Sequence, residues 1–159
     1  MSNEIHPFSP IYDEKAKILI LGTFPSVKSR ENEFYYGHPQ NRFWKVLSAV
    51  FSDTLPETIP EKRDFLLKHR IALWDVIQSC DITGSADSSI KKAVPNDIPG
   101  LLEKTQIKKI FCNGKKAHGL YLQHFKSISL PVKALPSTSP ANAAWSLEKL
   151  IHAWKSITI

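Results

Sequence analysis

Lys17 opens a β-favouring run, KILIL, that continues to Leu21 and is broken at Gly22 and Pro25. A strand this uniformly apolar does not alternate between a dry face and a wet one, so it must be covered on both sides. Any fold built on it needs a layer above and a layer below.

The rest of the chain supplies those layers. From Arg42, the apolar residues Phe43, Val46, Leu47, Val50 and Phe51 recur at the spacing of one helix face. PEKRDFLLKHR, Pro60 to Arg70, predicts a second helix with proline at its start, and IALWDVI, Ile71 to Ile77, predicts a second strand. The segment from Asp81 to Asn96 holds TGSADSS, which predicts a loop. NDIPGLLEKT predicts a short helix capped by Asn96 or Asp97, and IKKIFCN a third strand. GKKAHGLYLQHF then reads as a helix opening at a glycine turn, and PVKAL as a fourth strand. For the last helix, PANAAWSLEKLIHAWKSI, Ser139 suits the N-cap and Pro140 the first turn. Strands separated by helices predict an α/β fold with right-handed crossovers: a three-layer α/β/α sandwich around a central, mainly parallel four-stranded sheet, with residues 1–159 as a single domain.

Charge adds a bias toward polyanions. Lys and Arg number 21 against 15 Asp and Glu, a formal charge of +6, which suits nucleic acid as well as a merely solvated basic surface. The basic pairs Lys91-Lys92, Lys108-Lys109 and Lys115-Lys116 are spread along the chain, as on a folded face rather than a disordered arm. Cys80 and Cys112 are the only cysteines and form no CxxC or Cys/His zinc spacing. No HExxH or carboxylate-histidine cluster suggests a metal, and MSNEIHPFSP contains no apolar h-region, so a cytoplasmic protein without a membrane span is expected.

In a parallel sheet the functional loops gather outside the carboxyl ends of the strands. GTFPS, CNGKK and LPSTSPAN follow the first, third and fourth strands, and YYGHPQNRFW, Tyr35 to Trp44, connects GTFPS to the helix that follows. All four reach one rim. The ordered set LILGTFPS, YYGHPQNRFWKV and LPSTSPANA resembles the uracil-DNA glycosylase superfamily, and within it the hypoxanthine-DNA (deoxyinosine) glycosylase branch, to whose middle segment LWDVIQSC and GSADSSI are similar. The resemblance implies a monomeric enzyme that flips a deaminated base out of DNA and hydrolyses its N-glycosidic bond without cofactor, metal or a Schiff-base lysine. Two alternatives stand beside it: a mismatch-specific uracil glycosylase, because HPQNRFWKV also resembles that branch, and a non-catalytic protein that binds damaged DNA.

The same resemblance implies roles for individual residues. Asn41 aligns with the residue that positions the hydrolytic water through its amide oxygen, although an Asn there also suits a helix cap. Phe24 stands where many superfamily members carry an Asp or Asn, so the GTFPS loop, with Thr23 and Phe24, is expected to bind the base through backbone N–H groups and not to activate water. Tyr36 matches the ring that stacks on the flipped base, with core packing the alternative for Tyr35 and Tyr36. Asn113 is expected to read the Watson–Crick edge, besides making the Asn113-Gly114 turn. Ser137 falls where other branches carry His or Asn, and donates a hydrogen bond to the base. Ser26 and Ser139 resemble serines that pinch DNA phosphates, and Lys115 and Lys116 are phosphate contacts or simply exposed. Ala141 and Asn142 occupy the region where a bulky wedge often lies, and neither is bulky.

Overall fold

The computed structural model describes residues 2–32 and 34–158. The chain runs through β1 (Ser2–Ile5), β2 (Ile18–Gly22), α1 (Val27–Asn32), α2 (Phe43–Val50), α3 (Ile59–Lys68), β3 (Ile71–Asp75) and β4 (Ile77–Ile82). There follow β5 (Lys91–Pro95), α4 (Ile98–Glu103), β6 (Lys109–Asn113), α5 (Lys115–His124), β7 (Val132–Leu135) and α6 (Leu147–Trp154). Strands β3, β2, β6 and β7 lie side by side in that order as a four-stranded sheet, parallel at every pairing. β2 sits inside it with all five residues buried, as its uniformly apolar sequence requires.

Successive residues of β2 enter different cores. Ile18 and Ile20 pack with Phe43, Leu47, Leu66, Leu150 and Trp154 of α2, α3 and α6. Leu19 and Leu21 pack on the opposite face with Leu101, Leu120 and Tyr121 of α4 and α5. Helices therefore cover both faces of the sheet, giving the three layers expected. Local chemistry sets the helix starts: the Thr58 hydroxyl accepts from the Glu61 N–H while Glu61 reaches back to the Thr58 N–H, a capping box before α3, and Asp97 caps α4 through the Gly100 N–H.

The structure departs from the sequence expectation in three places. Between Asp81 and Asn96, where a loop is predicted, the chain ends β4 and builds β5; with β1 they form a separate three-stranded sheet, ordered β1-β4-β5 and antiparallel. Its signal is weak because β5 is mostly exposed, carries Pro95 on an edge, and pairs with register shifts at Ser79. α1 is a second departure: Ser26 caps it by accepting from the Ser29 N–H, in a stretch with no apolar periodicity. The third lies in the last helix, which begins at Leu147 after an N-cap at Ser146 rather than at Ser139. The Arg42 guanidinium binds the carbonyl oxygens of Ser139, Asn142 and Trp145, which a helix through this region would need for its own ladder.

Trp154 connects the α6 layer to the rim. Its ring is fully buried, meets Phe43 edge-on with centroids 5.9 Å apart, and its Nε1 donates to the Pro136 carbonyl at 2.9 Å. Trp154→Phe removes that donor and leaves a part-buried carbonyl unpaired as well as a smaller ring in the core, so urea denaturation is expected to show a loss of roughly 1–3 kcal/mol.

Candidate active site

Above the carboxyl ends of β2, β6 and β7 lies a cleft of about 880 Å³ whose wall includes Thr23, Tyr36, Asn41, Asp75, Asn113 and Thr138. The sheet register explains part of this gathering. Gly22 pairs with Asp75, and Asn113 stands one place beyond the Leu21–Cys112 pair, so Asp75, Gly22 and Asn113 form a row across three neighbouring strands. Paired residues project to the same face, which here continues Ile20, Leu73 and Phe111. Glycine in the middle leaves a notch between an acid and an amide.

Asn113 does not stand alone. Its Oδ1 accepts from the Thr138 backbone N–H at 3.0 Å, and its Nδ2 donates to the Thr138 hydroxyl at 3.0 Å. That hydroxyl donates onward to Asn41 Oδ1 at 2.9 Å, which also accepts from the Phe43 N–H at 2.9 Å. The two backbone N–H groups can only donate, so they fix which end of each amide is oxygen. The N-cap of α2 is Arg42, one place after the expected Asn41, yet the Asn41 oxygen does bind the first N–H of the helix, and with Thr138 this occupies the oxygen that was expected to hold water. With both acceptor sites of that oxygen in use, what Asn41 has left for a ligand on the cleft wall is its Nδ2 amide. The turn before it is stiffened by the Asn41 N–H donating to the His38 carbonyl at 3.0 Å and by the Gln40 N–H donating to His38 Nδ1 at 3.1 Å.

The two tyrosines divide their roles. Tyr35 is core, 2% exposed, with its hydroxyl donating to the Ser9 carbonyl. Tyr36 takes a left-handed backbone, φ 54°, a conformation that costs a non-glycine residue about 1–2 kcal/mol. Its ring lies flat on Phe43, centroids 4.0 Å apart, so a base has only the opposite ring face to stack on. The Tyr36 hydroxyl is buried and has no hydrogen-bond partner among the described residues. Burial first, and then the Asp75 carboxylate, push its pKa well above the ordinary phenol value.

Thr23 and Phe24 are buried in the cleft wall, with Arg30 over the Phe24 ring at 5.6 Å. Ser137 lines the cleft too, and its hydroxyl accepts from the Ser139 N–H at 3.1 Å. Ser26 and Ser139 are engaged locally, Ser26 with Ser29 and Ser139 with the Ala141 N–H, yet both remain on the cleft wall. Lys115 stands at its edge and Lys116 is exposed beside it at the start of α5. Gly114, at φ 100°, makes the turn between β6 and that helix; a Cβ there would lie 3.3 Å from the Ser137 Cβ, so the site needs glycine.

Sequence reasoning missed Thr138, Arg42, Asp75, Asp87 and Trp145. Asp87, in the segment over the cleft, has its pKa pushed up to about 6 by burial, against the opposing pull of the Thr23 hydroxyl. Asp75 is buried and paired with His6, Nε2 to Oδ2 at 2.8 Å. Trp145, beyond the unbulky Ala141 and Asn142, is a large exposed ring on the cleft wall. A serine-threonine stretch offers no sequence signal for which hydroxyl turns inward, and Arg42 reads as part of a helix face. Among the described residues no three His, Cys, Asp or Glu side chains gather as metal ligands, and no helix is long and apolar enough to cross a membrane.

Comparison with known proteins gives this geometry relatives. Residues 9–158 match the model of the uracil DNA glycosylase superfamily. A hypoxanthine DNA glycosylase of Methanosarcina acetivorans is 39% identical over 141 residues, 87% of this chain and 89% of that one. A hypoxanthine DNA glycosylase of Methanosarcina barkeri is 34% identical over 149 residues, covering 92% and 93%. The solution NMR structure of a protein from Methanosarcina acetivorans described as a uracil DNA glycosylase superposes with a TM-score of 0.80 at 32% identity, covering 96% of this chain and 97% of that one.

Replacing Thr138 tests the bridge between the two amides. Thr138→Val keeps the shape and deletes the hydroxyl, stranding Asn113 Nδ2 and one lone pair of Asn41, at an expected cost of roughly 1–3 kcal/mol in urea. Thr138→Ser, which keeps the hydroxyl, is expected to recover most of that loss.

Proposed function

The chain belongs to the uracil DNA glycosylase superfamily, and we propose from this that it is a monofunctional DNA-deoxyinosine glycosylase: it extrudes a deaminated base, foremost hypoxanthine, and hydrolyses its N-glycosidic bond. The observation that carries the reading is the join of Asn41 and Asn113 through one buried hydroxyl on the wall of a cleft of about 880 Å³, a size ordinary for a small-molecule site. A base inside the duplex is out of reach of these groups, so it must leave the stack first, and a mispaired one leaves at lower cost.

Two amides then have separate tasks. Asn113, anchored by Thr138, is suited to the base edge. Asn41 is suited to the sugar: its Nδ2 donates to a water and fixes that water's position while the second lone pair remains free for C1′. An amide takes no proton at neutral pH, so it orients the water without deprotonating it. Such help suffices when the C1′–N9 bond breaks ahead of attack. The bonding electrons depart with the purine, the oxocarbenium-like sugar accepts the water oxygen, and the surplus proton passes to solvent or to the departing base.

Ser26, Ser139, Lys115 and Lys116 surround the mouth and suit phosphate contacts, which a chain of net charge +6 favours electrostatically. Thr23, Phe24, Tyr36 and Ser137 complete the wall around the base, and Trp145 is the ring nearest to filling the vacated stack. Every group in this scheme comes from one chain, so a monomer is sufficient. The hydrolysis calls on no cofactor, and cytoplasmic DNA is the expected substrate.

End-labelled duplexes with one deoxyinosine or one deoxyuridine, treated with alkali after incubation, measure base release directly. Asn41→Ala is expected to slow single-turnover release from deoxyinosine by on the order of 100-fold in a folded protein that loses about 1–3 kcal/mol through the unpaired Thr138 hydroxyl, and without alkali the strand should stay intact. Full activity in Asn41→Ala would remove that residue from the mechanism, whereas a preference for uracil would move the enzyme to the neighbouring branch.

A further inference from the structure

A site for an uncharged base contains a buried carboxylate that hydrolysis does not use. Asp75 closes β3 with its side chain only 4% exposed, on the wall of the cleft. Its Oδ2 is held by His6 Nε2 at 2.8 Å, and the Phe8 N–H points at His6 Nδ1 from 3.4 Å, which puts the ring proton on Nε2. Oδ1 leans over Gly22: a Cβ on that glycine would lie 2.4 Å from it and 2.9 Å from the unpartnered Tyr36 hydroxyl. Across the notch stands Asn113, whose Oδ1 and one Nδ2 hydrogen are spent on Thr138. Asn113 can therefore give a base one N–H, while its oxygen is turned to the Thr138 backbone.

We propose that Asp75 is the specificity-determining acceptor of this site: its Oδ1 takes the N1–H of the hypoxanthine lactam, while the second Asn113 N–H donates to O6. This assignment rests on the glycosylase reading and names how that site selects its base. Asp75 and Asn113 are two strands apart, roughly 10 Å between backbones, and both side chains border the notch between them. Asp87, the other acid on the cleft wall, belongs to the covering segment beside Thr23 and lies outside this row.

The arrangement rejects the two ordinary purines by different means. Adenine would bring its amino group against the Asn113 donor and its N1 lone pair against a carboxylate, both mismatches inside a buried site. Guanine shares the O6 and N1–H edge but adds an amino group at C2. With Oδ2 turned to His6, Asp75 presents a single oxygen to the notch, so the N1–H and the amino group would have to share it. His6 also draws charge toward Oδ2, which limits repulsion of the purine as it departs with its bonding electrons.

Asp75→Asn inverts this edge with minimal change of shape. The His6 Nε2–H requires an acceptor, so the amide oxygen turns to His6 and the NH₂ group faces the notch. Wild type and variant are compared by single-turnover release from deoxyinosine and from deoxynebularine, whose purine lacks O6 and carries a lone pair at N1. Release from deoxyinosine is expected to fall on the order of 10- to 100-fold in Asp75→Asn, and the ratio of deoxynebularine to deoxyinosine to rise by a comparable factor. An equal fall on both substrates, or no fall, overturns the assignment while leaving the glycosylase intact. If Asp75→Asn does not fold, wild type on 1-methyldeoxyinosine serves instead: refusal supports the assignment, and release at the rate of deoxyinosine overturns it. Wild type that frees no hypoxanthine defeats the glycosylase reading, and this inference with it.

Discussion

The Thr138 hydroxyl accepts from Asn113 and donates to Asn41, each at close to 3 Å, and the geometry of the whole cleft follows from it. Asn113 belongs to the sheet and Asn41 to the entry of α2, elements separated by nearly half the chain. Thr138 comes from the loop after β7, which is itself tethered by Trp154 at the Pro136 carbonyl and by Arg42 at Ser139. Arg42 directly follows Asn41, so the residue that receives the Thr138 hydroxyl is adjacent to the one that restrains the loop carrying it. Buried polar chains of this kind hold one arrangement, because any slip strands a donor or acceptor away from water.

Much of the framework was legible in the sequence. After its exposed Lys17, KILIL had to be a central strand because nothing in ILIL can face water, and the i, i+3, i+4 pattern after Arg42 located α2 to within one residue of its start. Rim loops followed from the order of strands and helices. The small antiparallel sheet escaped notice because β5 is exposed and carries no hydrophobic alternation. The start of α6 was misjudged because Ser139-Pro140 is a good local helix opening, and only the distant Arg42 side chain cancels it by taking the carbonyls.

The site was legible by residue and not by atom. Motif spacing brought Asn41, Tyr36 and Asn113 to one rim, and the cleft does contain all three. Spacing could not reveal that the Asn41 oxygen is taken by the Phe43 N–H and the Thr138 hydroxyl, that Tyr36 spends one ring face on Phe43, or that Asn113 turns its oxygen to Thr138. These are tertiary facts, and they change the chemistry. A lone glycine at the end of β2 acquires its meaning only when the register puts Asp75 on one side of it and Asn113 on the other. The deaminated edge, a carbonyl beside an N–H, is the complement of such a pair.

A crystal structure of the protein with a duplex carrying 2′-fluoro-deoxyinosine, whose glycosidic bond resists hydrolysis, tests the account most directly. The prediction is a hypoxanthine outside the stack, its O6 and N1 edge over Gly22 between Asp75 and Asn113, and its C1′ on the Asn41 side of the cleft. A base still paired in the duplex, or one lodged in the cleft with that edge turned away from Gly22, would contradict it.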